Sequence, residues 1–200
     1  MSETAASHRQ RQAQATRRAI AAAARTLFTE RGYGATTIDA ISAACDIPLP
    51  TIYSALGSKP AILEEARRAW IEEAEVTSLY AEAMRLEDDA ERLRMAAHWT
   101  RRQFELGHDV ITAYQDAARS DPRAARIWGE ALGVRERAVR DLVTSLGPRL
   151  PSELTIERGL DLYLALTLPE IFRTLTERGW TPDDYEAWLS RRLVSELLAD

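Results

Sequence analysis

The 200-residue chain has a single cysteine, Cys45, and a single lysine, Lys59. One thiol excludes an internal disulfide framework and any cysteine-based zinc site. Three scattered histidines give no ligand spacing, so His98 is not read as a metal ligand, and no metal or other cofactor is expected. No apolar run approaches the roughly 18 residues of a membrane span. The opening residues, MSETAASHRQRQAQATRR, lack the apolar stretch of a secretory signal. These absences point to a cytoplasmic protein with no membrane partner. Glycine (9) and proline (8) are sparse, and no strand-like alternation persists between turn signals. No nucleophile elbow, phosphate loop, HExxH or paired-carboxylate motif is present. The acid pairs Asp88-Asp89 and Asp183-Asp184 stand at helix starts, where capping explains them. The chain is therefore not expected to be an enzyme.

What remains is an ordinary globular composition, 46% apolar and 28% charged, with enough length to bury a core. The formal charge is −5. It is unevenly spread. Residues 1–60 hold seven basic groups against four acidic ones, a surplus of +3, which leaves −8 for the rest. Such asymmetry suggests a division of roles. The basic segment is the one to examine for contacts with polyanions, although so few charges also split this way by chance.

Nearly everything reads as helix. Residues 1–15 lack periodic apolar positions and read as a flexible arm. Arg9 and Arg11 there are either solvated or able to enter a minor groove. A first helix runs from about Thr16 to Arg31, with Ile20, Ala24, Leu27 and Phe28 on one stripe and Gly32 as its stop. Thr36 caps a second helix, with Asp39 completing a capping-box pattern and Ile38, Ile41 and Cys45 facing inward. A third, about Leu49–Leu56, follows after the short turn Cys45-Asp46-Ile47-Pro48. Its prolines, Pro48 and Pro50, fall at or before the first turn, where no intrahelical N–H is lost. Ser58 caps a fourth helix. Longer helices follow at about 59–85, 88–107, 109–119, 122–146, 155–178 and 182–199. Asp121-Pro122 and Thr181-Pro182 are cap-plus-proline starts. Pro169 should kink the penultimate helix. Gly129 and Gly133 either permit close backbone approach or split their helix.

Two helices joined by so short a turn have helix-turn-helix geometry, in which the second enters the major groove. The run TRRAIAAAARTLFTERGYGATTIDAISAACDIPLPTIYSALGSKPAIL resembles the DNA-binding domain of TetR-type transcriptional regulators. The resemblance rests on Leu27-Phe28, Gly32, Thr36-Thr37, Ile41, Thr51-Ile52-Tyr53 and Ser58-Lys59. It implies that Thr37, Thr51, Tyr53 and Lys59 touch phosphate or sugar, with Thr36, Leu49, Pro50 and Arg17 completing the surface. Hydroxyls and cations are what phosphate oxygens need. The chain also departs from the family. Asp46 replaces the usual turn glycine, though Asp tolerates left-handed backbone better than most residues. Pro48 replaces the hydroxyl cap. Ala55 stands where a histidine is common. Leu49 and Pro50 can meet a thymine methyl but cannot make bidentate bonds to bases.

The run LTLPEIFRTLTERGWTPDDYEAWL resembles the last two helices of a TetR C-terminal subfamily. The resemblance implies a homodimer built on Leu164, Leu168, Phe172, Tyr185, Trp188 and Leu189, and the same residues could instead be a monomer's core. A two-fold dimer would present two recognition helices to a palindromic double-stranded operator. The resemblance also implies an effector pocket, for which Trp70, His98, Trp99, Phe104, Tyr114 and Trp128 are candidates. Each of them is equally well an ordinary core residue. The expectation is an all-α protein of about nine helices: an arm (1–15), a helix-turn-helix domain (16–58), and an effector-binding and dimerisation domain (59–200). The expected function is a ligand-responsive, sequence-specific DNA-binding regulator, a repressor released by a small apolar or aromatic effector. The alternative is a helical sensor or interaction protein with weak or lost DNA binding.

Overall fold

The structure, a computed structural model, describes residues 2–199, with side chains from residue 8 onward. Ten α-helices carry the described residues, and no strand occurs among them: α1 (Ser2–Ala35), α2 (Ile38–Cys45), α3 (Leu49–Ala55), α4 (Lys59–Glu73), α5 (Val76–Ala83), α6 (Asp89–Ser120), α7 (Pro122–Leu146), α8 (Ile156–Leu166), α9 (Pro169–Glu177) and α10 (Pro182–Leu197). The all-α expectation is met. Beyond α3, three boundaries differ from the sequence reading. The helix expected over 59–85 breaks at Glu75, which takes a left-handed conformation (φ 55°). The helices expected over 88–107 and 109–119 are one continuous helix through Gly107. Pro169 ends rather than kinks: α8 stops at Leu166, and α9 starts afresh with Pro169 in its first turn.

The helix α1 begins at Ser2, well before the expected Thr16, and residues 8–15 of the expected arm are helical with exposed side chains. Residue 1 of that arm lies outside the described residues. At Gly32 the backbone leaves helical geometry (φ 79°, ψ 161°), which is the stop the sequence indicated. The helix α7 runs unbroken through Gly129 and Gly133, and neither glycine meets another element closely.

The chain packs as two units, residues 1–70 with 109–128, and residues 71–108 with 129–200. The expected cut after residue 58 falls inside the first of them. That unit is built on the predicted stripe: Ile20, Ala24, Leu27 and Phe28 are buried, and α1 packs on α2 and α3. Ile41, Ile52, Ile62 and Leu63 are fully buried there as well. Each such side chain contributes on the order of 1.5–3 kcal/mol. The second unit buries Leu93, Trp99, Phe104, Leu142, Val143, Leu160, Tyr163, Tyr185, Leu189 and Leu193. A Cβ on Gly159 would stand 2.9 Å from Val143 Cγ1, so α8 can approach α7 only because this residue has no side chain.

Candidate functional site

The pairing of α2 and α3 is set by local chemistry. Asp46 closes α2 in the left-handed region (φ 52°, ψ 38°), and its N–H returns to the Ser42 carbonyl. The Ser42 hydroxyl spans the turn, donating to the Ile47 carbonyl at 2.7 Å. Pro48 then starts α3 with no side-chain cap; its carbonyl accepts from the N–H groups of Thr51 (2.9 Å) and Ile52 (3.1 Å). Ile52 is fully buried. The opposite face of α3 is open: Pro50, Thr51, Tyr53 and Ser54 are exposed, Tyr53 to 53%, and Leu49 is partly exposed. The protein's own packing does not use the Tyr53 face.

Two of the expected interface residues have other work. Thr36 is 1% exposed, and its hydroxyl lies at hydrogen-bonding distance from the carbonyls of Gly32 (2.8 Å) and Leu27 (3.2 Å). It stitches the end of α1 and cannot contact DNA as placed. The cap of α2 is its exposed neighbour Thr37, whose Oγ1 accepts from the Ala40 N–H at 3.1 Å. Adjacent threonines make this one-residue shift invisible in sequence. Lys59 is half-buried and donates to the carbonyls of Tyr33 (2.8 Å) and Thr36 (3.0 Å). An ammonium has three protons, so at most one remains for a phosphate in this arrangement. Burial lowers the Lys59 pKa, and the charges of Asp121 and Asp116 work against that shift.

Those two aspartates are part of the support that sequence reasoning missed. Asp116 of α6 accepts from the Tyr33 N–H at 2.8 Å, and Asp121 accepts from the Tyr33 hydroxyl at 2.9 Å. Asp121 also caps α7, accepting from the N–H groups of Arg123 and Ala124. Arg25 pairs with Asp109 of α6 through two bonds. Sequence separations beyond 80 residues hide all of these long-range ties. Arg17 lies partly buried on α1, and its Nε has no hydrogen-bond partner among the described residues. Between Gly32 and Ser58 there is no basic residue, and the exposed Asp39 and Asp46 make that stretch acidic. The basic residues that precede this stretch lie on α1, among them Arg9, Arg11, Arg17, Arg18 and Arg31.

The candidate effector residues are not gathered in one unit. Trp70, Tyr114 and Trp128 belong to the first, and His98, Trp99 and Phe104 to the second. Tyr114 is fully buried, stacks on Trp128 (centroids 4.8 Å apart, planes at 15°) and donates to Glu64 at 2.9 Å. Trp70, Trp99 and Phe104 are buried. His98 faces the Glu186 carboxylate at 3.0 Å. Of the expected dimer residues, Phe172, Tyr185 and Leu189 are buried inside the second unit and unavailable to a partner. Leu164 and Trp188 are partly exposed, and Leu168 is 48% exposed. A helix with apolar residues on several sides divides them between its own core and the outside, and sequence does not say which go where.

Residues 20–66 match the family model of bacterial regulatory proteins, tetR family. The match spans the helix-turn-helix and less than half of the chain. No curated protein sequence matches the chain. Among solved structures it is similar to a transcriptional regulator of Aquifex aeolicus (17% identity, 89% of this chain and 97% of that one, TM-score 0.69). The fatty acid degradation regulator FadR of Bacillus halodurans is similar too (16%, 90% and 98%, TM-score 0.74). So is the TetR family transcriptional regulator PfmR of Thermus thermophilus (20%, 89% and 96%, TM-score 0.62). At these identities the structures establish the fold. The family match adds that residues 20–66 are similar to the DNA-binding part of such regulators.

Proposed function

We propose that this protein is a regulator of tetR type, a homodimeric repressor released from a palindromic operator by a small apolar or aromatic effector, and that it acts in the cytoplasm on chromosomal DNA. The observation that carries the DNA-binding part is the open face of α3, where Thr51 and Tyr53 are exposed on a helix whose other side is locked by Ile52. Thr37, Thr51, Tyr53 and the free proton of Lys59 supply phosphate contacts, while Leu49 and Pro50 offer only apolar contact to bases. Sequence preference then draws on DNA shape and on the arginines of α1. Effector binding shifts the equilibrium between DNA-competent and incompetent states by its differential affinity for them. Half-exposed Leu168 supports a partner-covered face in the second unit.

A second reading, a sensor or interaction protein with little DNA binding, is favoured by the acidic, arginine-free stretch from Gly32 to Ser58. A gel-shift titration against the protein's own upstream region, repeated across salt concentrations, separates the two. A dimer using several phosphate contacts loses affinity steeply with salt. Absence of binding at low salt to any genomic fragment overturns the repressor reading.

A further inference from the structure

We propose that Arg135 and the hydroxyl of Tyr185 form the anion-binding end of an effector site in the second unit, and that the effector is a carboxylate carried on an apolar body. This rests on the effector-responsive reading above and adds the charge of the ligand to it. Arg135 lies on the inward stripe of α7, one turn before Val139 and two before Leu142 and Val143, all buried. It is itself partly buried, and it donates through Nη2 to the carbonyl (3.0 Å) and Oγ1 (2.5 Å) of Thr167. Both partners are neutral. Its Nε and Nη1 make no hydrogen bond to a described residue, and no carboxylate pairs with it among them. The titratable groups closest to it are the phenols of Tyr163 and Tyr185, both held neutral by burial.

Tyr185 is fully buried, and its hydroxyl has no hydrogen-bond partner among the described residues. Tyr163, buried just as deeply, is satisfied by Thr100 Oγ1 at 3.2 Å. Burying an unpaired hydroxyl costs about 1–3 kcal/mol, and Arg135 is a partly buried guanidinium with donors left over and no counter-charge among the described residues. A single anion serves both. A carboxylate can accept from the open edge of Arg135 and from the Tyr185 O–H. An apolar body is matched by the rings packed around Tyr185, namely Phe172 (5.0 Å), Trp188 (5.8 Å) and Phe104 (6.3 Å). The nearby carboxylate of Glu186 is engaged by His98 and Arg101 and leaves the guanidinium uncompensated. A cationic ligand has no counter-charge here.

The test uses the full chain and two matched probe series: decanoate, decanol and decyltrimethylammonium, and 2-naphthoate with 2-naphthalenemethanol. Calorimetric titration and thermal shift are read for wild type, Tyr185→Phe, Arg135→Lys and Arg135→Gln. In at least one series the carboxylate is expected to bind at least about tenfold tighter than its alcohol, the fold-change of one hydrogen bond to a charged group. Tyr185→Phe should lose about tenfold for the carboxylate and nothing for the alcohol, while the ligand-free unfolding midpoint does not fall, because the hydroxyl has no partner to lose. Arg135→Lys should retain part of the preference and Arg135→Gln none; if the glutamine variant fails to fold, Tyr185→Phe still decides. No preference for either carboxylate over its alcohol, or unchanged carboxylate binding in Tyr185→Phe, overturns the inference. Gel shifts with the same probes separate it from the reading it rests on. Carboxylate binding that leaves DNA affinity untouched keeps the anion site and sinks the effector-released repressor. Release by the alcohols with no extra effect of the carboxylates does the reverse.

Discussion

Lys59 Nζ stands 4.2 Å from the centroid of the Tyr33 ring while it donates to the Tyr33 carbonyl at 2.8 Å. The first residue of α4 is thereby tied to the end of α1 through charge, ring face and backbone at once. Tyr33 is in turn held by Asp116 and Asp121, so one tyrosine joins the helix-turn-helix to the turn between α6 and α7.

Lys59→Ala should therefore cost stability as well as DNA affinity. Two charge-assisted bonds and a partly shielded cation–π contact are worth roughly 1–3 kcal/mol together. The thermal midpoint should fall by several degrees, whereas Arg9→Ala on exposed α1 should leave it in place. Equal midpoints for the two variants would show that the lysine is an ordinary surface charge.

Gly32→Ala should destabilise for two reasons. The position holds φ 79°, and an added Cβ would lie 3.2 Å from Asp116 Oδ2, the acceptor of the Tyr33 N–H. With ψ 161° this backbone conformation is open essentially to glycine alone and costs an ordinary residue about 1–3 kcal/mol. Asp46→Gly, at φ 52°, should act in the opposite direction and raise the midpoint slightly. Chemical denaturation of both variants checks the pair; a Gly32→Ala protein as stable as wild type removes the strain argument.

The contrast between these sites shows what can be read from a linear chain. The α1 stripe, the stop at Gly32, the Asp46 turn and the caps at Asp121 and Thr181 are local, and periodicity with cap chemistry exposes them. The break at Glu75 has no glycine or proline to announce it, and continuous α6 runs through a glycine that looked like an end. The resemblance put Thr36 and Lys59 on the DNA-facing surface, but both turn inward because their partners lie on α1. Arg135 left one trace, a charge on an apolar stripe, which gains meaning only with Thr167 and Tyr185 in place.

Acid should loosen the first unit. Burial pushes the Asp121 carboxyl upward, but the Tyr33 hydroxyl, two backbone N–H groups and Lys59 outweigh it and hold the group below its ordinary 3.8. Glu64 is likewise held below 4.5, its burial outweighed by Arg67, Tyr114 and Arg68. A carboxylate with a depressed folded pKa contributes stability that is present above its ordinary value and lost as pH falls through the folded one. The midpoint should thus be insensitive to these groups near neutrality and drop below about pH 4.5. In an Asp121→Asn, Glu64→Gln double variant the neutral midpoint should be lower and the acid limb shallower. Parallel curves for variant and wild type would remove these two carboxylates from the account.

Tyr53→Ala should leave stability almost unchanged, because the ring is 53% exposed on the open face of α3. Its effect belongs to DNA. Affinity for every sequence should fall together, by about tenfold if the hydroxyl serves a phosphate. A changed sequence preference at constant overall affinity would instead assign Tyr53 to base reading.

Leu168 and Phe172 share the start of α9 and should fail in different ways. Phe172 is 6% exposed and packs against Tyr185, so Phe172→Ala should cost about 3–5 kcal/mol of folding stability. Leu168 is 48% exposed at the break between α8 and α9, so Leu168→Glu should cost the protomer little. If a second copy covers that side chain, the glutamate places a charge against its own symmetry mate, and the dimer dissociates. Light scattering across a concentration series should then show a folded monomer, and binding to a two-half-site operator should weaken with it. A Leu168→Glu protein that remains dimeric at low micromolar concentration would move the interface away from this residue and leave Leu164 and Trp188 as the partly exposed positions to test.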